Sequence, residues 1–189
     1  MSTEKSHAQD QVSAGLLTFP KSGDSASAGG VYTVTCIGAD GVEKWSDTFH
    51  NLVVNQGLQD MNSKYFKGAG YTATWYLGLV TGPGSGTTYA AADTLSSHAG
   101  WTENTDYTGS RKTVTFGTAT TADPSVISNS ASPSAFAITG TATIAGAFLA
   151  STTDNSGVLF SAGDFTGGDK SVASGDTLNV TYQFSLDAA

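Results

Sequence analysis

The residues able to carry chemistry are few in this chain, and they are scattered. The tightest grouping is Asp93, Ser96, Ser97 and His98. An acid, a hydroxyl and an imidazole are the parts of a nucleophilic triad. A triad, however, takes its members from separate elements so that they converge. Residues this close in sequence point apart around a turn, so His98, near Trp101, is expected to be a packed and hydrogen-bonded turn residue. The run Val80-Thr-Gly-Pro-Gly-Ser-Gly-Thr-Thr88 has the glycine density of a phosphate loop. That loop needs a lysine after its last glycine and then a helix. Here threonine stands at the lysine position and Pro83 removes a cradle N–H, so a surface loop is expected. Ser85 also lacks the glycine spacing of a nucleophile elbow.

Other constellations fail on equally specific grounds. His7, His50 and His98 make no His-x-x-x-His or Cys/His ligand spacing. Asp154-Asn-Ser-Gly157 offers oxygen ligands but no glutamate to close a calcium cage, and reads as a tight turn. Glycoside cleavage needs two acids about 5–9 Å apart in a cleft, and nothing singles out a pair among Glu43, Glu103 and the aspartates. Cys36 sits inside an apolar run without a histidine nearby, and is expected as a small buried side chain. As the single cysteine it allows no disulfide within the chain. Trp45, Trp75 and Trp101 could stack on sugars, but tryptophans in strands more often fill cores. Asn179-Val-Thr181 is a glycosylation acceptor sequence, without meaning in a cytoplasmic product. The chain is therefore expected to be non-enzymatic, with no cofactor and no metal.

The elements that would position these residues read as β-structure. Val31–Ile37 and Val42–His50 flank Gly38-Ala-Asp-Gly41 and form a hairpin. Val54, Leu58, Met61 and Tyr65 fall at one face of a 3.6-residue period, which predicts a helix over 55–66 with Asn55 as its cap. Ala73–Thr81 is a strand rich enough to be central. Thr94–Ala99 reads as a helical turn. Lys112–Phe116, Val126–Ile127, Ala135–Leu149 (broken at Gly140 and Gly146) and Val158–Phe160 give further strands. Asp176–Leu186 alternates cleanly, with Leu178, Val180, Tyr182, Phe184 and Leu186 on the inner face. Strands separated by Gly-rich turns across 31–187 predict an all-β antiparallel sandwich, jelly-roll-like, with one short helix. Residues 1–30 are polar and small apart from Gly15-Leu-Leu-Thr-Phe-Pro20. They are expected to form an extended N-terminal arm, with 31–189 as the sandwich domain. Leu16, Leu17 and Phe19 would anchor that arm on a neighbouring subunit, because exposed apolar surface seeks cover.

Composition narrows the partners. The chain has 189 residues and a net charge of −8. Its eight basic residues are dispersed except for Arg111-Lys112, whereas nucleic acid demands clustered Lys and Arg to displace counterions. Neither nucleic acid nor an anionic membrane is an expected partner. No apolar run approaches the roughly 20 residues of a membrane helix. The opening MSTEKSHAQDQ has no basic region followed by an apolar one, so synthesis and assembly are expected in a cytoplasm. Leu, Ile, Val and Phe total only 36 residues, against 27 threonines, 24 alanines, 23 serines and 23 glycines. Strands this thin in aliphatics suggest support from neighbours in an assembly.

One block adds a resemblance. Asn51 to Leu58 reads N-L-V-V-N-Q-G-L, Trp75 to Leu79 supplies a strand with an aromatic-L-x-L pattern, and Asp93 to Leu95 is a D-T-L turn. In these motifs the stretch from Trp45 to Glu103 resembles small β-rich virion structural proteins of tailed bacteriophages. The resemblance implies a capsid decoration or cement protein. Such a protein sits on the outer shell as a homo-oligomer, contacts the major capsid protein or another virion protein, and is assembled in the host cytoplasm. A tail, neck or fibre component is the alternative within virions. A carbohydrate-binding module using exposed aromatics is the alternative outside them, and a glycan-cleaving enzyme is a more distant one.

Overall fold

The computed structural model describes residues 26–71, 74–82 and 87–188. These residues form two packed antiparallel sheets, an all-β sandwich with one helix. The first sheet contains β1 (Ala26–Ile37), β2 (Glu43–His50), β7 (Ser125–Ser128), β8 (Ser134–Ala137) and β12 (Thr177–Ala188). Its order is β2-β1-β12-β7, with β8 also on β12. The second contains β3 (Leu52–Val53), β4 (Trp75–Thr81), β5 (Glu103–Asn104), β6 (Lys112–Val114), β9 (Ala142–Ala150), β10 (Leu159–Asp164) and β11 (Lys170–Val172). Its path is β3-β10-β9-β4-β5, with β6 on β4 and β11 on β9. Along the described residues the chain crosses between the sheets after β2, β6, β8 and β11.

The hairpin of β1 and β2 forms where the turn residues place it, with Gly41 at φ 78°. β1, however, includes Ala26–Gly30, so 26–30 belong to the first strand and not to the arm. Its inner side is Gly30, Tyr32, Val34 and Cys36, an alternation that the mixed run Val31–Ile37 hides because threonines occupy the outer positions. β12 lies at the centre of this sheet and pairs with β1 along all of Ala26–Ile37. Leu178, Val180 and Tyr182 are fully buried, as their alternation predicts. Leu186 keeps the parity but is 41% exposed, because it lies beyond the edge of the opposite sheet.

The helix α1 (Asn55–Lys67) occurs where the periodicity puts it, but turned about its axis. Gly57 is its buried residue, while Leu58 and Tyr65 face outward. The reason is close approach: a Cβ on Gly57 would stand 2.5 Å from the Phe160 carbonyl oxygen. The helix thus lies directly on β10, with Gln56 Oε1 accepting from Leu159 N–H at 2.8 Å. Asn55 is the first helical residue rather than the cap, and Val54 holds the cap position without a side-chain bond. The exposed donors are met from outside the helix instead. Val54 N–H donates to the Phe160 carbonyl and Asn55 N–H to that of Ala91. Gly68 closes the helix in the left-handed region.

Two cores result. The larger lies between the sheets around Tyr32, Phe49, Leu77, Phe136, Ile144 and Tyr182. The smaller lies on the outer face of the second sheet, where Leu95 and Trp101 from the β4–β5 connection cover Val80, Phe148 and Leu159. The strands β4, β9 and β10 are therefore buried on both faces. This accounts for their glycines and alanines. A Cβ on Gly78 would meet the Phe148 ring at 2.2 Å, and one on Gly146 the Gly163 carbonyl at 1.9 Å. Small residues let the layers approach, and a few large rings fill the space.

Candidate functional site

The residues that resemble catalytic parts are spent on packing. Asp93 Oδ2 accepts from Trp101 Nε1 at 3.1 Å and from Ala90 N–H at 3.0 Å. His98 stacks on Trp101 with ring centres 3.8 Å apart, and its Nδ1 lies 3.0 Å from the Trp101 carbonyl. Thr94 and Ser97 exchange backbone hydrogen bonds, so this stretch is a tight reverse turn and not the expected helical one. The D-T-L motif thus secures the tryptophan that covers the second sheet. Of the Gly-rich loop, 83–86 lie outside the described residues, as do Leu16, Leu17 and Phe19 of the arm.

Arg111 is withdrawn from the surface. Its guanidinium donates to both carboxylate oxygens of Glu103, at 2.9 and 2.6 Å, and to Asn155 Oδ1 at 2.7 Å. It also donates to the carbonyls of Thr152 and Asp154, over the face of Phe148. Asp154 Oδ1 accepts from Ser156 N–H and Oγ–H, so the 154–157 segment is a turn clamped by an arginine. These bonds hold the Asp154 carboxyl below its ordinary range.

Three polar groups sit deeper. Cys36 is fully buried, and burial, followed by the nearby Asp176 carboxylate, pushes its thiol up to about 11. A thiol so placed is not a nucleophile at neutral pH. Asp176 accepts from Lys44 Nζ at 2.7 Å and from Ala173 N–H at 2.9 Å, which keeps its carboxyl below the usual value. Asp164 goes the other way: burial raises it, although Tyr89 O–H donates to it at 2.9 Å. Between the sheets Tyr32 O–H, Ser161 Oγ and Tyr182 O–H form a hydroxyl chain that ends on Asn51 Nδ2. Burial raises both tyrosines, so both remain protonated.

The tryptophans divide. Trp101 is buried, while Trp45 and Trp75 are partly buried and pack on the main core. The exposed aromatics are others, and of these the periodicity marked only Tyr65, on the apolar face of the helix. Tyr65 is 84% exposed, Phe66 77% and Tyr71 83%, with Leu58 beside them along the outer face of α1. The rings of Tyr65 and Phe66 meet edge-to-face at 4.9 Å and 81°. This cluster is the candidate functional surface. It is built by α1 lying on its glycine side, with Met61 turned to the main core, which leaves Leu58, Tyr65 and Phe66 facing solvent.

Among the described residues no group of three or more His, Cys, Asp or Glu could hold a metal ion, and no helix is long and apolar enough to cross a membrane. The chain matches no protein-family model, no curated protein and no solved structure.

Proposed function

We propose that this chain is a non-enzymatic structural protein of a tailed-phage virion, and specifically a capsid decoration or cement protein that stabilises the particle through subunit contacts. Its partner would be the major capsid protein or another virion protein, its state a homo-oligomer, and its site of assembly the host cytoplasm. The observation that carries the reading is the uncovered stripe of Leu58, Tyr65 and Phe66, with Tyr71 beyond it. A stripe of this kind calls for a protein neighbour. The class is suggested by the short motifs that resemble those of phage virion proteins, and the charge of −8 suits solubility at high local concentration. Leu16, Leu17 and Phe19 remain a proposed second contact.

A tail, neck or fibre position would use the same surface. The carbohydrate-binding alternative would rest on the same aromatics, but rings set at 81° do not make a flat stacking platform. The test is a Tyr65→Ser/Phe66→Ser double variant added to purified particles that lack the protein. Loss of particle binding with an unchanged melting temperature is the expected result. Full occupancy by the variant would overturn the reading. Glycan-array hits abolished by the same change would transfer the chain to the carbohydrate-binding class.

A further inference from the structure

The open side of α1 is symmetric about one residue. Leu58, Gln59, Asn62, Tyr65 and Phe66 are all exposed, and at 3.6 residues per turn they make a single stripe with Asn62 at its middle. Gln59 and Tyr65 stand three residues to either side of Asn62, and Leu58 and Phe66 stand four. The stripe carries no charge. Asp60 and Lys64 bond each other at 2.9 Å on the flank, with both side chains largely buried. Lys67 lies about 140° around the axis from Asn62. In a chain of charge −8, this uncharged face is where two copies meet without setting like charges against each other.

The spacing is self-complementary as well. If a second copy of the helix is turned end for end about an axis through Asn62, Leu58 meets Phe66, Gln59 meets Tyr65, and Asn62 meets its own counterpart. Apolar side chains then fall on apolar ones, and the Gln59 amide faces the Tyr65 hydroxyl. The Asn62 amide both donates and accepts, so two of them on the axis satisfy each other. A polar residue within an apolar seam fixes its register and orientation. We propose that α1 is the seam of a symmetric dimer, in which two copies of this chain pair antiparallel through these five residues.

Such a contact is isologous and closes on itself. A second copy is favoured over a different protein because the stripe reads alike from both ends, which only a partner with the same stripe exploits. The α1 helix has thirteen residues, and one face of it offers less than the roughly 800 Å² per partner of a standard interface. The pair therefore comes apart on dilution. This inference rests on the reading of the stripe as a protein contact and names the first neighbour. The dimer would then be the form that binds the particle, since two linked sites hold more tightly than one.

Sedimentation of the full chain and disulfide trapping test it. The protein should be dimeric at about 0.5 mM and monomeric at about 1 μM. Tyr65→Ser/Phe66→Ser should be monomeric at both. So should Asn62→Asp, which removes no apolar area but sets two carboxylates face to face on the axis. Under mild oxidation Asn62→Cys should crosslink at least about tenfold faster than Asn55→Cys, because a disulfide needs Cα atoms within about 7 Å. The two Asn55 positions lie on the same exposed side but about 21 Å apart along an antiparallel seam. The native Cys36 is buried and does not compete. A chain that stays monomeric at 0.5 mM, a dimer that survives the serine changes, or equal crosslinking from positions 55 and 62 would each overturn the proposal. Loss of particle binding by Tyr65→Ser/Phe66→Ser in a chain that is monomeric throughout would keep the virion reading and overturn the dimer alone.

Discussion

Asn129 shows how single polar side chains hold this sandwich. It is fully buried between β7 and β8, which pair with different stretches of β12. Its amide spans the gap: Nδ2 donates to the Val180 carbonyl at 3.2 Å and Oδ1 accepts from Tyr182 N–H at 2.7 Å. A side chain thus replaces a rung of the ladder, which no spacing rule would have flagged. Asp176 and Asp164 respond to pH with opposite signs. The folded pKa of Asp176 is depressed from 3.8, first by Lys44. Its contribution is present above the ordinary value and is lost as pH falls through the lower folded one. Asp164 is raised from 3.8 by burial, so its ionisation works against the fold as pH rises through its folded value. Thermal melts across pH 2–7 should show Asp176→Asn less stable than wild type at neutral pH, with the gap closing in acid. Asp164→Asn, which keeps an acceptor for Tyr89, should be at least as stable as wild type at neutral pH. A gap for Asp176→Asn that is constant across the range would refute the assignment.

At the scale of elements, the strands were largely legible and the helix packing was not. Alternation locates the inner face of β12, and Gly-rich turns locate the β1–β2 hairpin. Gly140 separates β8 from β9 as expected. What stayed hidden follows from small residues. Periodicity weights large apolar side chains, whereas α1 docks through Gly57, the one buried residue on it. The sheet under it is built likewise, through Gly78, Gly146 and Gly163. Lys170–Val172 was too short to read. Nor does any local pattern announce that the β4–β5 connection covers a second face. The packing of α1 makes a direct prediction. Gly57→Ala gains about 1 kcal/mol of helix propensity, but its methyl meets a backbone carbonyl that cannot step aside. Overpacking of that kind costs about 1–3 kcal/mol, so net destabilisation is expected. Gly70→Ala, where a Cβ meets nothing within 4 Å, is the control and should not lower the melting temperature. Equal melting of the two variants would mean that α1 does not lie on β10 as described.

At the scale of the whole molecule, the sequence conveyed the class of fold but not the candidate surface. The spacing of Val54, Leu58, Met61 and Tyr65 predicts one apolar helix face, yet Val54 and Met61 pack inward while Leu58 and Tyr65 are exposed. The tryptophans, read more readily as core than as a sugar platform, are partly or wholly core. Where the arm ends matters to any truncation. Removing residues 1–25 should leave the sandwich folded. Removing 1–30 takes away the five residues that pair Ala26–Gly30 with Phe184–Ala188, and should lower the melting temperature further. Circular dichroism melts of the two truncations check this, and identical melting would place the start of the sandwich at Val31.

The pairing of β1 with β12 also bears on how the chain acquires its fold. The bond from Ser185 Oγ to the Gly29 carbonyl joins residues 156 positions apart. The central strand of the first sheet is thus the last of the described strands to be synthesised. Until β12 leaves the ribosome, β1, β7 and β8 have no shared partner, and their edges stay open to other chains. Loop closure over such a span comes late and slows folding relative to local topologies. A nascent chain stalled before Thr177 should therefore be protease-sensitive and prone to aggregate. Synthesis of β12 commits the whole sandwich at once.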